Sequence, residues 1–170
     1  HRHPFAHHAY LGWMLAFGVH LWSLRAHEER DEPWLKWLHA AGFWLFAVIA
    51  SWEFGWQIDH YVEGRRVWPL VAWAVVPAAL IAIFAARGER LGWPVNHHRY
   101  AYLYAGALPL AVFLLGWVVY VNFVSDGNPA PLPYVPLLNP LDLAQAGALL
   151  ALGTWFVGVK RLEIPRAALP

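Results

Sequence analysis

Five stretches of about twenty mostly apolar residues, each ended by charged or turn-forming residues, fill nearly all of this 170-residue chain. An α-helix of that length, rising 1.5 Å per residue, crosses the ~30 Å hydrocarbon core of a bilayer. The stretches fall at about 5–24, 35–58, 68–86, 100–124 and 141–159. Their apolar character is continuous and lacks the alternation of a barrel strand, so the expected fold is all-α. It is one integral membrane bundle of about five transmembrane helices. Charged residues supply only 14% of the chain, against about 25% in soluble domains. A formal net charge of +1 argues against nucleic acid as a partner, since that needs a clustered basic face. With no Cys, disulfides and thiolate metal sites are excluded. The chain opens at His1 with no basic n-region or small-residue cleavage site, and reads as an excerpt of a longer polytopic protein.

The connections carry the matching punctuation. Residues 25–33 are a charged run ending in Pro33, placed to start the next helix. Residues 59–67 form a polar turn with Gly64, and 87–99 a basic loop with Gly88, Gly92 and Pro94. Residues 125–140 hold five Pro and Gly127, so that segment cannot be helical throughout. Pro77 and Pro109 fall inside the third and fourth helices, where kinks are expected. Orientation follows from Lys and Arg. Arg2, Arg65 and Arg66 lie on one side; Arg25, Arg30, Lys36, Arg87, Arg90, Arg99, Lys160, Arg161 and Arg166 lie on the other. The bias puts the N-terminus outside and the C-terminus in the cytoplasm.

Ionisable groups at membrane depth are costly and each asks for a reason. Glu53, Gln57 and His60 share one face of the second helix at offsets of four and seven, and His39 lies near that face. With Asn122 and Asp142 on the external side, they make a candidate polar cleft in which Glu53 carries a proton or holds a ligand. The plainer reading has Glu53 joining helices. Ten His include His7 and His20, thirteen apart on the first helix, a spacing that can offer ligands to two haems. The pairs would be His20 with His39, and His7 or His8 with His60; no compact metal-ligand spacing supports them. No cofactor is therefore assigned. Trp13, Trp22, Trp34, Trp37, Trp56, Trp68, Trp93, Trp117 and Trp155 lie mostly near helix ends, as an interfacial belt would. Ala144, Gly147, Ala148 and Ala151 in the last helix suit close helix contact.

The stretch from Pro131 to Ala146, Pro-Leu-Pro-Tyr-Val-Pro-Leu-Leu-Asn-Pro-Leu-Asp-Leu-Ala-Gln-Ala, resembles a segment of very large polytopic bacterial membrane proteins of unknown function. In those a Pro-rich external loop ending in Asn-Pro-Leu-Asp leads into an apolar helix. The resemblance implies a bacterial inner membrane and more helices in the parent chain, and brings no activity with it.

Three functions compete on the sequence. The first is a non-catalytic scaffold or accessory subunit, touching the bilayer and other transmembrane helices or subunits. It is favoured because no nucleophile–base motif or phosphate loop is present. The second is a transport or cell-envelope module handling a lipid or glycan at the external face. The third is a haem-binding electron-transfer subunit.

Overall fold

The structure, a computed structural model, describes residues 3–28, 34–62 and 67–163. Pro33 and the cations Arg2, Arg30, Arg65, Arg66 and Arg166, used above, lie outside the described residues. The described residues form helices and turns and no strand. Five α-helices follow one another: α1 (Ala9–Ala26), α2 (Leu35–Tyr61), α3 (Trp68–Arg87), α4 (Ala107–Val124) and α5 (Pro140–Glu163). A π-helical segment, Tyr100–Gly106, runs directly into α4.

Every apolar stretch is thus a helix. Four are long and apolar enough to cross a membrane: Leu35–Tyr61, Trp68–Arg87, Tyr100–Val124 and Pro140–Leu162. The 18-residue α1, which reaches about 27 Å and carries His20, Ser23 and Arg25, is not among those four. It also starts later than residue 5. His7 and His8 adopt left-handed backbone, with φ of 49° and 66°, so no α-helix runs through them. Ala6–His8 is a 3-10 turn instead.

α3 is the centre of the bundle and packs on α2, α4, α5 and the π segment. Its small residues Ala74 and Ala78 are buried against Leu114 and Trp117 of α4 and Ala148 and Ala151 of α5. Gly158 of α5 lies against Ala85 of α3, where a Cβ would sit in ordinary contact 3.5 Å from the Ala85 Cβ. Lipid gives no hydrophobic drive for helix association, so such close packing and hydrogen bonds must hold the bundle.

Several of those bonds come from indoles. Trp44 Nε1 donates to the Gly106 carbonyl at 2.9 Å, and Trp155 Nε1 to the Leu103 carbonyl at 2.7 Å. Trp117 donates to Leu70 at 3.0 Å and Trp68 to Ala130 at 2.9 Å. The Trp set is therefore only partly an interfacial belt. Trp22, Trp34 and Trp37 remain exposed as a belt requires, while Trp68, Trp117 and Trp155 tie neighbouring segments together. Two of the acceptor carbonyls belong to the π segment. Pro109, just beyond it, lacks the N–H that would bond the Ala105 carbonyl in an α-helix, and a π-turn is one way a helix absorbs that loss.

The Asn-Pro-Leu-Asp run is the start of α5. Asn139 Oδ1 accepts the Leu141 N–H at 2.9 Å, Pro140 takes the first helical position, and Asp142 lies in the first turn. This is N-capping with the acid where the helix dipole favours it. The same Asn139, buried, donates to the Gly127 carbonyl at 2.6 Å and so joins the two ends of the Pro-rich segment.

Candidate functional site

The polar side chains gather at the two ends of the seam between α1 and α2. At one end is Glu53, buried in α2. Its Oε2 lies 2.7 Å from His3 Nδ1 and accepts the Phe5 N–H at 3.1 Å. Its Oε1 accepts from Gln57 Nε2 at 2.6 Å, a bond that the i,i+4 spacing makes available. The His3 ring stacks on Trp56 at 3.7 Å, and His60 stacks on the same indole at 4.8 Å. Trp13 Nε1 donates to the Pro4 carbonyl at 3.1 Å. The chain before α1 is therefore folded back onto the end of α2, with one carboxylate as its anchor.

At the other end Glu28, just past α1, gathers the third loop. Trp93 Nε1 donates to Glu28 Oε1 at 3.0 Å, and His98 Nε2 lies 3.4 Å from the same oxygen. Arg25 pairs with Oε2 and also lies over the Trp93 ring, 5.2 Å from its centroid. Burial works to raise the Glu28 carboxyl, but Arg25, then the Trp93 and His98 contacts, hold it below the ordinary Glu range. His98 in turn stacks on His39 at 4.1 Å. His39 is 1% exposed; its Nδ1 lies 3.0 Å from the Tyr102 hydroxyl, and its Nε2 has no hydrogen-bond partner.

Between these ends α1 stands off from the bundle and leaves a cavity of about 730 Å³. Met14, Phe17 and Leu21 of α1 line it opposite Phe43, Phe46 and Ile49 of α2. Phe84 of α3, Val95 of the third loop, and His20, His39 and Tyr102 complete one end. At position 42 a Cβ would come 2.3 Å from His20 Nε2, so a larger residue requires the His20 ring to shift. His20 thus lies against the α2 backbone one turn beyond His39.

A family model described as "Predicted membrane protein (DUF2339)" matches residues 1–169. The chain belongs to that family. No curated protein and no solved structure matches it. For this DUF2339 member, membership agrees with what the helices show, a membrane protein, and assigns no activity.

The candidate residues divide in the folded chain. Glu53, Gln57 and His60 share the anchor described above. Asn122 and Asp142 do not join them: among the described residues α2 touches neither α4 nor α5. Asn122 is exposed and donates to Gln145 Oε1 at 3.0 Å, and Asp142 begins α5. The five therefore do not form one cleft. His20 and His39 line one cavity. His7 and His8 are exposed, and His3 is the residue brought to the Trp56–His60 face. Among the described residues no three His, Asp or Glu come together as a metal site. Sequence reasoning gave His3, His98, Tyr102 and Asn139 no role in these contacts and read Trp56 as part of an interfacial belt. The Asn139-Pro140 pair was a readable helix-start signal.

Proposed function

We propose that the chain is a non-catalytic structural module of a bacterial inner-membrane assembly, a scaffold or accessory unit whose outward faces meet lipid and helices of other subunits. The observation that supports this reading is the state of Glu53. Its carboxylate already engages three groups of its own chain and joins two segments. A carboxylate held that way fastens a fold; a proton carrier or ligand-binding acid needs an oxygen open to a path. The outward faces fit the same reading, since Leu15, Val112, Val119, Phe123 and Leu150 are each more than half exposed. The excess of Lys and Arg on one side supports a topology with the N-terminus outside and the C-terminus in the cytoplasm.

The test is crosslinking in native membranes followed by purification in mild detergent. Membrane proteins crosslinked through the α4 or α5 face are expected, and Glu53→Gln should leave the cell phenotype intact. A lone protein overturns the reading. So does a lost phenotype in a Glu53→Gln protein that is normally expressed and folded, which would make Glu53 a working carboxyl.

A further inference from the structure

α1 is fastened at both ends and separated from the bundle between them, and the separation has a definite chemistry. The cavity runs beside residues 10–21 of α1 and 39–50 of α2, about 16 Å of antiparallel helix. Its middle is aliphatic and aromatic. Its end next to His39 carries the His20 and His39 imidazoles and the Tyr102 hydroxyl. Phe43, Phe84 and Tyr102 form a continuous aromatic wall there, with ring centroids 4.9 to 6.0 Å apart. His39 lies about one turn into α2.

We propose that this cavity binds a prenylated quinone. The isoprenoid tail lies between α1 and α2, and the planar dicarbonyl head lies at the His39–Tyr102 end. Three observations select this class. The Tyr102 hydroxyl and the His20 imidazole stand at one end of an otherwise apolar lining, where they can hydrogen-bond a carbonyl. Among the described residues no Lys or Arg lines the cavity, so a phosphate or carboxylate head meets no counter-charge, whereas a neutral carbonyl needs none. A flat conjugated head also stacks on the aromatic wall in a way that a branched polar head does not. The site is independent of whether partners cover the outer faces.

The test is photolabelling of the detergent-purified chain with an azido-substituted decyl-benzoquinone, followed by peptide mapping. Label is expected within residues 10–21 and 39–50, and excess unlabelled decyl-benzoquinone should remove it. Gly18 lines the cavity, and a Cβ there meets nothing within 4 Å. Gly18→Leu should therefore lower labelling at least tenfold with the melting temperature unchanged. Tyr102→Phe, which removes only the hydroxyl, should weaken competition severalfold and serves if Gly18→Leu fails to fold. Label spread along α4 and α5 overturns the proposal, as does labelling indifferent to a folded Gly18→Leu or to Tyr102→Phe. Displacement by palmitate as effective as by the quinone also overturns it, by making the occupant a fatty acid.

Discussion

Truncating the Glu53 side chain should release the segment before α1 without unfolding the bundle. In Glu53→Ala the bond to Gln57 is lost within α2 itself, so it does not count toward docking. The contacts that bridge to the N-terminal segment are His3 Nδ1 at 2.7 Å and the Phe5 N–H at 3.1 Å. Hydrogen bonds to a charged group contribute about 1.5–3 kcal/mol each, which gives an upper bound of about 3–6 kcal/mol for two. The His3 side chain is 16% exposed and that of Glu53 8%, so partial solvation and non-additivity favour the lower end. The His3–Trp56 stack survives the substitution. At about 3 kcal/mol, and 1.4 kcal/mol per factor of ten, local opening should become about a hundredfold more frequent. Amide hydrogen exchange in detergent reads this directly. Protection at Phe5 should fall by about two orders of magnitude while Ala47 and Ile49 stay protected. Unchanged exchange at Phe5 would refute the anchor; loss of protection throughout α2 would refute its local character.

Three further outcomes follow from the geometry. Gly42→Ala sets a methyl 2.3 Å from His20 Nε2 and pushes that ring toward the cavity, so the cost should fall at the low end of the ~1–3 kcal/mol that overpacking brings; adding His20→Ala should restore the melting temperature. Asn139→Ala removes the α5 cap and the bond to Gly127 together, with an expected loss of about 1–2 kcal/mol and faster proteolysis within residues 127–138. Glu28 has a folded-state pKa below its ordinary value near 4.5, so its stabilisation is complete above that value and is lost as pH falls through the lower, folded one. Trp93 fluorescence should therefore change on acidification below about pH 4.5, and Glu28→Gln should abolish the pH dependence.

The helices were legible because a bilayer permits so few spanning structures. All five stretches match their helices to within four residues at either end, and the late start of α1 has a tertiary cause. Nothing local in Phe5-Ala6-His7-His8 forbids a helix; the segment leaves helical geometry where it bends back toward Glu53, which lies 48 residues after Phe5. The polar stripe of α2 was legible from its spacing, but the partners of Glu53 were not, since His3 comes from outside the helix. Trp positions could be read as interfacial, yet the carbonyl that faces an indole is decided only when two helices pack. His98 lies in a loop, and its stacking on His39 depends on how the third loop folds over the end of α2. Asn122 and Asp142 looked like companions of Glu53 because the sequence gives depth and not azimuth; the azimuth puts α3 between them.

The π segment fixes how the fourth span is read by its neighbours. Before it ends, Tyr102, Leu103 and Gly106 face partners on α2 and α5. Beyond it, Leu110, Leu114, Trp117 and Val121 are buried toward α3. One span thus serves two sets of neighbours by changing phase part-way, and two indole bonds from other helices hold the change in place. Inserting a single residue just after Gly106 would turn all of α4 by about 100°. Leu114 and Val121 would swing out of the core and Asn122 away from Gln145, with no side chain in α4 altered. In this span, residue number matters as much as residue type.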